Sequence, residues 1–255
     1  MALLMCPNQR PSFMKRGRTY ADVAVYMPIE DCFMAGELPP EERLAPDARY
    51  FWEMRHLRPP KALAGRHPLW VSFNSLANAR FEDGFLHCGD ALFRFLYLDV
   101  SWLDPRGLRE LLRLAGEGLP ILVLRRGARP SSPYERDLNR LLSMESVFSD
   151  PSAIRTPPLI EGQDIPDYWC RVDGDEAFIF IAHPASSGLR YPMRYGQSAD
   201  AIAARKKIRL NFGGFSGEIS LDFGPHQSLL VRASRAGVDF IDIEYFPPEP
   251  FSLRA

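Results

Sequence analysis

The residues best placed for chemistry lie between Phe178 and Ser198. An apolar run, Phe178-Ile179-Phe180-Ile181-Ala182, breaks at His183-Pro184 into small residues. It then reaches Tyr191, Arg194 and Tyr195, closed by Gly196. Aromatic faces stack on the apolar C–H faces of sugar rings. An arginine fork donates to hydroxyl pairs or to a carboxylate. Trp169, Tyr245 and Trp102 are further aromatic platforms, with Trp169 the alternative to the tyrosines. Side chains on a loop are available for binding. The competing reading is aromatic packing in a core or between domains, the commoner use of such large rings.

Other chemistries fail on spacing. A nucleophile elbow needs glycines around its Ser or Cys. Asp99-Val100-Ser101-Trp102-Leu103, the matching place, has none. A phosphate cradle needs a Gly-rich turn after the first strand. Met27-Pro28-Ile29-Glu30-Asp31-Cys32 has no glycine there and carries two repelling carboxylates. Glu30 and Asp31 are tempting as a glycosidase pair, which requires carboxyls ~5–10 Å apart. Neighbours on an extended segment diverge, however, and loop carboxylates are ordinarily solvated. His56, His67, His87, His183 and His226 show no zinc-type pairing, and Cys6, Cys32, Cys88 and Cys170 form no Cys-x-x-Cys. The expectation is no catalytic set, no metal site and no cofactor.

The elements that must position these residues change character near the middle of the chain. Asp22–Met27, Leu69–Phe73, Phe93–Val100 and Leu119–Leu124 are short apolar runs that predict buried parallel strands. Arg80–His87 around Asp83-Gly84 predicts a hairpin. Asp104-Pro105 caps a helix with Leu108, Leu111, Leu112 and Ala115 on one face; further helices are predicted over 46–57 and 134–144. Alternating strands and helices imply an α/β parallel sheet of flavodoxin-like type. Pro151–Pro166 has no period and predicts a linker. Beyond it the period falls to two: about six short strands from Trp169 to Tyr245 predict a small antiparallel β-sandwich.

Composition excludes several classes. Net charge is −1, and the longest basic run is Arg205-Lys206-Lys207, so neither nucleic acid nor an anionic membrane is an expected partner. No apolar run approaches the ~20 residues of a membrane helix. The first residues carry no export signal, which reads as cytoplasmic for the chain as written. Met14-Lys15-Arg16-Gly17-Arg18 reads as the end of a helix.

Several motifs, in order, resemble one family. Gly17–Asp31, with Asp22-Val23-Ala24-Val25-Tyr26-Met27-Pro28 at its centre, is similar to the segment after the catalytic barrel in large bacterial glycoside hydrolases of the α-L-rhamnosidase type, family 106. Phe81–Asp90 and the strand ending at Asp99 are similar to the next part of those enzymes, a hairpin, a strand and a Leu-rich helix. Tyr191–Ser198, Gln227–Leu230 and Phe240–Ile243 look like the closing sandwich. The resemblance implies a class I amidotransferase-like domain over 20–150, a linker over 151–165 and a β-sandwich over 166–252. Residues 1–19 would then be a remnant of an upstream helix. It further implies a non-catalytic accessory module, structural or carbohydrate-binding. Its partner would be a separate catalytic barrel chain or a second copy, and the parent enzymes would be exported. The alternative is an independent small hydrolase acting on glycosides. The family's catalytic carboxylates and calcium ligands belong to the barrel, so none is carried onto this chain.

Overall fold

The computed structural model describes residues 13–27, 29–30, 61–100, 102–124, 134–188 and 201–241. After a turn in which Arg16 N–H donates to Phe13 O (3.3 Å) come β1 (Arg18–Thr19) and β2 (Val23–Tyr26). β3 (Pro68–Val71) is next, then α1 (Phe73–Ala77), and a meander of β4 (Arg80–Glu82), β5 (Phe85–Cys88) and β6 (Ala91–Phe93). β7 (Phe95–Leu98), α2 (Pro105–Gly116), β8 (Ile121–Val123), α3 (Glu135–Leu142) and β9 (Val147–Phe148) complete the first half.

β2, β3, β7, β8 and β9 form one sheet in the order β3-β2-β7-β8-β9, with every pairing parallel. Numbered along the chain, that order is 2-1-3-4-5. β2, β7 and β8 are buried along their whole length because both faces of the sheet are covered. One face packs on the helices through Leu96, Leu108, Leu111, Leu114 and Ile121. The other packs Val23, Val25, Phe95, Tyr97 and Leu122 against Leu63, Phe148 and Ile154. α2 starts as expected: Asp104 accepts from Arg106 N–H at 2.7 Å and Pro105 opens the helix. Its buried stripe uses Leu114, with Leu112 only half buried. The expected Phe93–Val100 strand is interrupted at Arg94, which separates β6 from β7.

The second half adds β10 (Ile160–Glu161), β11 (Tyr168–Asp173), β12 (Glu176–Ile181), β13 (Ala204–Phe212), β14 (Phe215–Phe223), β15 (Leu229–Ser234) and β16 (Gly237–Ile241). All its pairings are antiparallel. One sheet runs β1-β11-β12-β15-β16 and the other β10-β13-β14. Cys170, Ile179 and Val231 of the first sheet meet Ile208, Leu210, Leu221 and Phe223 of the second in one core. This is a two-sheet sandwich.

Two segments differ from expectation. Residues 18–19, expected within a helix remnant, form β1 and pair with Val172 and Arg171 of the sandwich. The Arg171 guanidinium donates to Thr19 Oγ1 (2.7 Å) and to the carbonyls of Arg16 and Gly17, so a distant strand fixes this local conformation. Phe13 rests on Phe178 with ring centroids 5.5 Å apart, and the Arg16 guanidinium lies over both rings. The second half of the expected linker carries β10, whose Ile160 is buried opposite Leu210. The expected 46–57 helix lies outside the described residues.

Candidate functional site

Tyr191, Arg194 and Tyr195 lie outside the described residues. Trp169 lies within them. On β11, Cys170 and Val172 point into the sandwich core, so alternation turns Trp169 to the other face, where it is 43% exposed. It lines a cleft of about 650 Å³ where the parallel-sheet half meets the sandwich. One wall is the segment Leu63–Trp70, leading into β3. The other is the stretch Gly162–Trp169, leading into β11. Trp70, 36% exposed on the edge strand β3, lines the same cleft.

Beneath the cleft is a buried polar layer. Asp22 Oδ2 accepts from Arg66 Nη1 at 3.0 Å, and Oδ1 accepts from the His67 backbone N–H at 2.8 Å. Arg66 also donates to Thr156 O and lies 5.1 Å from the centroid of Phe95. Burial pushes the Asp22 carboxyl up; the His67 amide and the Arg66 guanidinium oppose that shift. Tyr168 Oη donates to Gly65 O at 2.9 Å, and Ile160 N–H donates to the same carbonyl at 3.0 Å. Burial raises the Tyr168 and Tyr20 hydroxyls far above their ordinary value.

His67 is the exception. It is 5% exposed and ringed by Tyr20 (6.2 Å), Tyr168 (5.6 Å) and Trp169 (4.8 Å, edge-on). Its Nδ1 is buried with no hydrogen-bond partner among the described residues. Burial pushes its pKa down from 6.5 to about 4, so the ring is neutral at pH 7.

The remaining sequence candidates are placed differently. Glu30 accepts from Tyr26 Oη at 3.5 Å, and burial raises its carboxyl. Asp31, Ser101, His56, Cys6 and Cys32 lie outside the described residues. His183 is bonded at both nitrogens: Nδ1 accepts from Ala185 N–H (3.1 Å), so Nε2–H donates to Ile202 O (2.9 Å). It joins the two chain segments on either side of 189–200. Cys170 is buried and Cys88 half buried. Among the described residues no three His, Cys, Asp or Glu side chains form a metal-binding group, and no helix is long and apolar enough to cross a membrane.

Sequence reasoning missed Trp70, His67 and the Asp22–Arg66 pair. Their one available signal was composition: Trp70 interrupts a strand that should be uniformly aliphatic, and Arg66-His67 stand directly before it. No family model matches this chain, and no curated protein matches it.

Proposed function

We propose that this protein is a non-catalytic accessory module that binds carbohydrate in the cleft between its two halves. The observation that carries the reading is a pair of exposed indoles, Trp70 and Trp169, one from each half, lining one cleft. Stacking on a pyranose uses the apolar face of an indole while the sugar hydroxyls reach polar groups at the rim. Here Asp164 and Asp167 supply acceptors. The cleft volume lies within the ~300–1,000 Å³ of small-molecule sites. The resemblance to the C-terminal region of α-L-rhamnosidase-type glycoside hydrolases supports the same role, with a separate catalytic barrel or a second copy as partner. The parallel 2-1-3-4-5 order supports a flavodoxin-like, class I amidotransferase-like reading of the first half. Tyr191, Arg194 and Tyr195, the first choice on sequence grounds with Trp169 as the alternative, are kept as proposed carbohydrate-binding residues.

Affinity electrophoresis in gels containing a neutral rhamnose-bearing polysaccharide tests this. Wild type should be retarded. Trp169→Ala and Trp70→Ala should abolish retardation with the melting temperature nearly unchanged, since both rings are partly exposed. An unretarded wild type, or variants that bind as well as it does, contradicts the proposal. The half-buried, raised Glu30 carboxyl favours the alternative of a small glycoside hydrolase. Turnover of aryl rhamnosides that disappears in Glu30→Gln would establish it; no turnover is expected.

A further inference from the structure

We infer that His67 is the hydrogen-bonding residue of the cleft, and that the ligand it selects is a neutral polyhydroxy compound with one hydroxyl at its ring nitrogen. The inference rests on reading the cleft as a carbohydrate site. His67 lines the cleft, makes edge-on contact with the Trp169 platform at 4.8 Å, and has its Nδ1 buried with no hydrogen-bond partner among the described residues. Nδ1 is buried, so the ligand hydroxyl is assigned to Nε2. A neutral imidazole offers one donor and one acceptor, and which nitrogen is which depends on the tautomer. A hydroxyl satisfies either tautomer. A carboxylate or phosphate only accepts, and a quaternary ammonium head neither donates nor accepts.

The charges around the ring argue the same way. Arg66 is committed to Asp22 and to Thr156 O, so it offers an anion little. Asp164 and Asp167 lie on the wall opposite His67 and repel an anion. Asp164 is also 3.7 Å from Lys206 Nζ, which offsets its pull on a cation. What remains is two indole faces, an uncharged ring nitrogen and rim acceptors, a set complementary to a sugar.

The test compares wild type, His67→Phe and Trp169→Ala against a neutral rhamnose-bearing oligosaccharide, polygalacturonate and choline. His67→Phe keeps an aromatic ring against Trp169 and removes both nitrogens. Its affinity for the neutral oligosaccharide should fall roughly three- to ten-fold, the worth of one hydrogen bond, while its melting temperature holds or rises. In the wild type, the imidazole nitrogen resonances of His67 should shift on titration, a readout that needs no variant to fold. Neither polygalacturonate nor choline should compete. Binding that is unchanged in His67→Phe but lost in Trp169→Ala, with static His67 resonances, overturns the role of His67 and leaves the carbohydrate reading standing. Preference for polygalacturonate or choline overturns the ligand class. A wild type that binds no neutral glycan removes both readings.

Discussion

Asp22 and Arg66 show how residue type, burial and pairing combine at the seam. Their side chains are 4% and 6% exposed, so neither charge is solvated. Removing one partner strands the other, which costs roughly 3–5 kcal/mol, whereas an apolar replacement of both is far milder. Arg66→Met alone should therefore lower unfolding free energy by that amount in urea melts, and Asp22→Asn combined with Arg66→Met should recover much of the loss. Equal loss in single and double variants would show that the pair is not coupled. His67 adds a pH signature. Its folded pKa, about 4, lies below the ordinary 6.5, so between those values the unfolded chain takes up a proton that the fold refuses. Stability should fall by about 3 kcal/mol as pH drops from 6.5 to 4 and level off below. Among the described residues, the charged and titratable groups around the ring and across the cleft are Asp22, Arg66, Tyr20, Tyr168, Asp164 and Asp167. His67→Phe should flatten this dependence, and an unchanged slope would assign it elsewhere. None of this was legible in the sequence. Asp22 and Arg66 are 44 positions apart, and no local period links them.

At the scale of elements, local pattern and partner-dependent pairing divide cleanly. β2, β7 and α2 were legible because their own residues carry the signal: β-branched and apolar runs for the strands, an Asp-Pro cap and a leucine stripe for the helix. β1 and β10 were not, since each is two residues long and exists by pairing with β11 or β13. β9 was missed for the same reason, two residues completing the parallel sheet beside β8. The turn before β3 is another partner-dependent feature. Gly65 has φ +73°, and a Cβ there would sit 1.7 Å from Ile160 O. The close approach lets its carbonyl accept from both Ile160 N–H and Tyr168 Oη. Gly65→Ala should cost at least about 2 kcal/mol through strain and displacement of β10. A variant as stable as wild type would mean that the two halves separate readily at this point.

Over the described residues, the chain runs from the sandwich at β1 to the parallel sheet at β2, and returns to the sandwich with β10. Gly65, whose carbonyl accepts from Ile160 N–H and Tyr168 Oη, and His67, packed against Tyr168 and Trp169, join the halves along one seam, and the cleft lies over it. The halves should therefore unfold together, with far-ultraviolet dichroism and tryptophan fluorescence giving one coincident transition; two resolved transitions would show independent units. The two architectures were legible from the change of period along the chain, but a cleft assembled from residues near 67 and near 169 was not, because periodicity carries no information about how two halves dock. The most direct measurement is a titration of the indole N–H resonances with a neutral rhamnose-bearing oligosaccharide. The chain has four tryptophans, Trp52, Trp70, Trp102 and Trp169. If the cleft is the binding site, Trp70 and Trp169 shift together and saturate with one affinity while the other two stay in place. No shift, or shifts confined to Trp52 and Trp102, would contradict it.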